Sequence, residues 1–178
     1  MKEISINELV HILANLEFES ESLSLIKRFP KYSKEVESNK LTSKHFWEYL
    51  FFELFTDQAC FALVFEMELS SKLLNHYSIE IINRLISMGY NPENDIEDLF
   101  KKRCVEYHPY LQEYDLEFIK KINPNTYLSG LGKAFSMNFV GYYDPLIIDH
   151  AHLEFLVKLK HIPPFLRQIN HKYKIVVK

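Results

Sequence analysis

Glycine occurs only 4 times in 178 residues, cysteine twice and tryptophan once. So few glycines exclude the glycine-rich turns that bring a backbone against nucleotide phosphates, and neither GxGxxG nor GxxxxGK[ST] is present. Cys60 and Cys104 lie far apart in apolar patterns, which argues against a disulfide framework and for buried thiols in a reducing compartment. No stretch approaches the ~20 uncharged apolar residues of a membrane helix, and Met1-Lys2-Glu3-Ile4-Ser5 opens no signal-peptide core. Neither sign of charge dominates. With 21 Lys+Arg against 24 Asp+Glu the net charge is −3, too weak and of the wrong sign to hold nucleic acid by counterion release. The expectation is a soluble cytoplasmic protein with no nucleic-acid partner, no membrane partner and no cofactor.

What is abundant is apolar bulk. Hydrophobic residues make up 47% of the chain, with 14 Phe and 11 Tyr, and a chain of this length buries roughly 70% of its unfolded surface. No repeat, low-complexity segment or linker interrupts it, so residues 1–178 read as one mainly α domain, a bundle of seven to eight helices. Ser5-Ile6-Asn7-Glu8 has the form of a capping box, followed at helical spacing by Leu9, Val10, Leu13 and Leu16. A first helix is predicted over 6–16, then an acidic connection through Glu17, Glu19 and Glu21. A short helix follows, stopped by Phe29-Pro30, and then a polar loop over 31–41. Thr42 or Ser43 caps a helix apolar all round from Phe46 to Phe55, which belongs at the centre of a core. Thr56-Asp57-Gln58 reads as a kink or break, Ser78 as the cap of a helix over 79–88, and Gly89 as its C-terminal stop.

A helix from about 95 to Tyr107 is predicted to end at Pro109, with another over 110–122. Residues 123–143 hold three of the four glycines, and Phe135, Met137 and Phe139 alternate with smaller residues, so a small β element is expected near 133–142. Asp144-Pro145 starts a helix to about His161, Pro163-Pro164 starts a short last one, and 172–178 alternates as an edge strand.

Two acid-x-x-His pairs, Glu8 with His11 and Asp149 with His152, place a carboxylate and an imidazole on one helix face. Helical di-iron proteins use two such pairs plus further carboxylates, which Glu48, Glu53 or Glu66 in the apolar helices would supply. About one such pair is expected by chance among 24 acids and 8 His, so a metal-dependent bundle enzyme is the alternative reading and no metal ligand is assigned. A carboxylate in an apolar run is itself an anomaly, because ionised groups inside a core need partners. Glu48 and Glu53 stand about 140° apart around a helix, which places at least one of them toward the surface.

Arg103-Cys104-Val105-Glu106-Tyr107-His108 has the Arg-x4–6-His spacing of the HEPN family of helical ribonucleases and toxins. Over these six residues the chain resembles that family, which implies that Arg103 stabilises phosphate charge and His108 moves a proton. About half a match of this kind arises by chance, and Cys104 stands where the family has a polar residue, so this is the third reading.

The favoured expectation concerns a surface. Tyr107, Tyr110 and Tyr114 fall at i, i+3 and i+7, interleaved with Glu106, Glu113, Asp115 and Glu117. Tyrosine offers rigid contact area with a hydroxyl for a wet rim, and clustered carboxylates steer a basic protein. With no catalytic motif above chance, the chain is expected to bind and inhibit a basic toxic protein partner through these seven residues, as an immunity protein does, rather than to act as an enzyme.

Overall fold

A computed structural model describes residues 2–20, 24–30, 42–92, 96–111 and 124–177. Among them are seven helices and two short strands: β1 (Lys2–Ser5), α1 (Ile6–Glu19), α2 (Leu25–Arg28), α3 (Ser43–Ala62), α4 (Met67–Ser87), α5 (Ile96–Leu111), α6 (Pro124–Val140), α7 (Pro145–Lys172) and β2 (Tyr173–Val176). The mainly helical class with a small β element is as expected. None of the described helices is long and apolar enough to cross a membrane.

The chain divides into two compact units, each discontinuous in sequence. Unit 1 comprises 1–28, 56–91 and 157–178, and unit 2 comprises 29–55 and 92–156. Helices α3 and α7 contribute residues to both.

In unit 1, α1 begins with the capping box read from the sequence. Ser5 Oγ accepts from the Glu8 N–H at 3.2 Å, and Glu8 Oε2 accepts from the Ser5 N–H at 2.8 Å. Those bonds hold the Glu8 carboxyl below its ordinary range. The helix packs on α4, burying Leu9, Val10 and Leu13 with Leu73, Tyr77, Ile81 and Leu85 in one core. β1 pairs in parallel with β2, Lys2 opposite Tyr173 and Ser5 opposite Val176. The strand expected at the chain's end therefore forms.

Helix α1 runs to Glu19 because Glu17 is buried against cations instead of joining an acidic connection. The break placed at Thr56-Asp57-Gln58 is absent. Asp57, 1% exposed, gives its carboxylate to Lys158 Nζ at 2.7 Å, so a polar triplet sits inside a continuous helix. The chain instead breaks at 63–66. Ser78 caps nothing: it lies within α4, and its hydroxyl donates back to the Asn75 carbonyl at 3.1 Å. Gly89 does end α4, at φ +93°, with the Gly89 N–H on the Ile86 carbonyl and the Tyr90 N–H on that of Leu85.

The core of unit 2 is aromatic. Phe52 and Phe135 have ring centroids 4.4 Å apart, Phe135 and Phe139 5.1 Å, and Phe55 and Tyr107 5.2 Å. The expected β element at 133–142 is replaced by α6. Leu131, Phe135 and Phe139 recur every fourth residue and are buried, while Met137 of the supposed alternation is 41% exposed. Two of the three glycines that suggested irregular chain are packing sites. A Cβ on Gly132 would lie 3.0 Å from the Ile148 side chain, and one on Gly130 2.8 Å from the Tyr110 ring.

Asp144 caps α7 as expected, its Oδ1 accepting from the N–H groups of Leu146 and Ile147. Neither proline site breaks its helix. Pro109 sits in the last turns of α5, where the carbonyl it deprives is that of Val105, a residue 75% exposed and open to water. Pro163 and Pro164 lie inside α7 between the buried Ile162 and Leu166, whose spacing keeps one face packed through both rings. The polar loop assigned to 31–41 and the helix assigned to 112–122 lie outside the described residues.

Candidate partner surface and the charge network behind it

Helix α5 carries Arg103, Glu106 and Tyr107 within one turn and a half. Arg103 and Glu106 are three apart and share a face. Arg103 Nη1 donates to Glu106 Oε2 at 2.7 Å, while its Nε donates to Glu48 Oε2 at 2.6 Å and its Nη2 to the other oxygen of Glu48. The fork on Glu48 is bidentate, the geometry that makes an arginine–carboxylate pair strong. Asn138 of α6 closes the network, its amide donating to Glu106 Oε2 at 3.1 Å and to the Tyr107 hydroxyl at 3.2 Å.

Burial alone would make the Arg103 guanidinium easier to deprotonate. The bonds and charges of Glu48 and Glu106 outweigh that and hold it firmly protonated. Burial likewise raises the Tyr107 hydroxyl above its ordinary value, and it pushes the Cys104 thiol up to about 11.

The seven residues of the expected surface fare differently. Glu106 reaches solvent, its side chain 44% exposed, yet its rotamer is held by two donors. Tyr107 turns inward: it is wholly buried against Phe52 and Phe55, so its hydroxyl meets Asn138 and not a partner. Tyr110 is half-buried, its ring seated where Gly130 leaves room. Glu113, Tyr114, Asp115 and Glu117 lie outside the described residues.

Glu48 and Glu53 are both buried, 2% exposed each, where one was expected at the surface; Arg103 is the partner that makes this tenable for Glu48. Glu66 is exposed just ahead of α4. Glu8 is engaged in its cap, and His11, 66% exposed, has a guanidinium nitrogen of Arg84 2.9 Å from its Nδ1, a poor setting for a cation. Asp149 is exposed and His152 half-buried, with burial lowering the imidazole's proton affinity. No group of three or more His, Cys, Asp or Glu among the described residues is placed to hold a metal ion. Of the ribonuclease-like pair, His108 is exposed while Arg103 is committed to two carboxylates. A phosphate would have to displace them.

Sequence reasoning missed the arrangement that matters most in unit 1. Lys158, with no exposed surface, has its ammonium 2.7 Å from Asp57 and 3.3 Å from Glu17, whose other oxygen lies 3.4 Å from Arg28. Only the oddity of Lys158 on the apolar stripe of α7 would have signalled it. No family model, curated protein or solved structure matches the chain, so function is argued from these residues alone.

Proposed function

We propose that this chain is a protein-binding inhibitor of immunity type, which takes a basic partner on the outer face of α5 centred on Glu106. The observation that carries the reading is Glu106 itself. A carboxylate close to half exposed is normally free to rotate, and ordering it on binding costs entropy. Here Arg103 and Asn138 hold it from behind, so a cation on a partner meets an acid already in position. Tyr110, fixed over Gly130, supplies rigid flanking contact. The thiols of Cys60 and Cys104, joined in no disulfide, fit a cytoplasmic setting.

The test is capture of a partner by the immobilised protein, identification of that partner, and repetition with purified components. Glu106→Lys should lower affinity by about tenfold or more at low salt, with the difference narrowing as salt rises. Tyr110→Ala should weaken binding through slower association of a looser face and faster release. If the partner is a toxin, co-expression should restore growth with the wild type and not with Glu106→Lys. Unchanged affinity in both variants would move the interface away from α5.

A further inference from the structure

The small parallel sheet of unit 1 has two strands and therefore two outer edges. In a parallel pair, alternate residues of a strand turn their N–H and C=O toward the neighbour, and the residues between turn theirs away. Ser5 sets the phase. Its N–H goes to Glu8 Oε2 at 2.8 Å, so the backbone of Ser5 faces away from β2 and that of Ile4 faces toward it. Ile4 stands opposite Ile175, and its groups pair with those of the flanking Lys174 and Val176. Tyr173 and Ile175 therefore point their own backbone groups away from β1.

The two edges differ. That of β1 is blunted where Ser5 enters α1, its N–H held by the cap. Along β2, nothing among the described residues meets the outward N–H and C=O of Tyr173 and Ile175. Such a row pairs readily with another extended chain. Side chains say which chain. Tyr173 and Ile175, both half-buried, share a face with the buried Ile4, so an added strand needs apolar residues there. Lys174 is on the opposite face, and Lys172 stands just before the strand. Both are exposed, and neither forms an ion pair among the described residues. After Glu154 the chain has six Lys or Arg and no acid. A second copy paired along β2 would bring lysines together, which is unfavourable, whereas an acidic strand is attracted.

We propose that the outer edge of β2 takes an extended segment of a partner protein, with acids alternating with apolar residues, as the third strand of the sheet. The main chain of that segment pairs with Tyr173 and Ile175. Its apolar side chains extend the face of Ile4, and its acids meet Lys172 and Lys174. The site lies in unit 1 and requires nothing of the surface on α5.

The probe is an acetylated and amidated Thr-Val-Glu-Val-Glu-Val-Thr peptide, titrated into the 15N-labelled full chain. Its controls are Thr-Val-Lys-Val-Lys-Val-Thr, for charge, and the acidic peptide N-methylated at its valines, which keeps the charge and removes the backbone donors. The acidic peptide should bind saturably with a dissociation constant on the order of 1 mM or tighter. At about three times that constant, exchange of the Ile175 amide with water should slow about fourfold, because about a quarter of the molecules leave the edge open. The Lys174 and Val176 amides, already paired with β1, should change less. Both controls should bind about fivefold more weakly or worse, and Lys174→Glu should weaken the acidic peptide by about as much at low salt while favouring the lysine peptide. The proposal is overturned if the acidic peptide leaves Ile175 exchange unchanged up to about 5 mM, or if either control binds as tightly. It is equally overturned if Lys174→Glu binds the acidic peptide as the wild type does, or if raising the protein concentration alone protects Ile175, which would give the edge to a second copy.

Discussion

In unit 1 the ammonium of Lys158 is sealed between Asp57 and Glu17, with Arg28 on the far side of Glu17, and none of the four side chains is more than 5% exposed. In unit 2 the guanidinium of Arg103 links a buried acid, Glu48, to Glu106, which is 44% exposed. The first arrangement sets two cations against two anions inside the core. The second runs from the core to solvent and holds an acid at the boundary. A buried ion pair is weak evidence of net stability, since apolar residues of the same shape often do as well, but breaking one is costly. Charge in unit 1 therefore fixes which residues meet, whereas charge in unit 2 also presents something outward.

The sharpest way to break the comparison is Lys158→Met, which strips the ammonium from two buried carboxylates. It should cost about 4 kcal/mol, read from the midpoint of urea unfolding; a loss under ~1 kcal/mol would mean the acids are not held by that charge. Arg103→Met abandons Glu48 but leaves Glu106 to water, so a somewhat smaller loss of about 3 kcal/mol is expected. Gly130→Ala presses a methyl group on the Tyr110 ring and should cost about 2 kcal/mol, with the tyrosine displaced. Glu106→Gln should change stability by less than ~1 kcal/mol while weakening partner capture; a large loss would turn Glu106 from a presented group into a structural one.

The pH dependence separates the units by the range in which stability is lost. Burial, then the nearby Lys44 charge, lowers the His45 pKa below its ordinary 6.5, and burial lowers that of His152, both in unit 2. A lowered folded value means that the unfolded state takes up protons first. Their contribution is thus complete above about 6.5 and is lost as pH falls through the folded values. Glu8 in unit 1 is lowered from 4.5 by its cap, so its contribution persists to more acid conditions before it is lost. Residue-resolved hydrogen exchange from pH 7.5 to 5 should show protection falling in unit 2 and holding around α1; equal loss in both would remove the distinction.

Local signals were legible in the sequence wherever one turn of chain settles the matter. The capping box at Ser5 and Glu8, the Asp144 cap, the glycine stop at 89 and the central apolar helix all came from neighbours within a few residues. Misreadings arose where a distant residue decides. Asp57 looked like a break because nothing nearby shows that Lys158 awaits it 101 positions later. Gly130 and Gly132 looked like loop because their use, to admit Tyr110 and Ile148, is visible only in three dimensions. At the candidate surface, periodicity grouped Glu106 with Tyr107, but neighbours on a helix point about 100° apart, and packing on Phe55 took the tyrosine inside. Glu48 was noticed as an anomaly, and its partner was not.

The complete enclosure of Lys158 makes it a natural clock for breathing of unit 1. An amine-acylating reagent reaches exposed lysines such as Lys72 or Lys101 at once. It can label Lys158 only in molecules that have opened. The rate at which that one adduct accumulates, followed by peptide mass under native conditions, measures how often the sealed side of the protein comes apart.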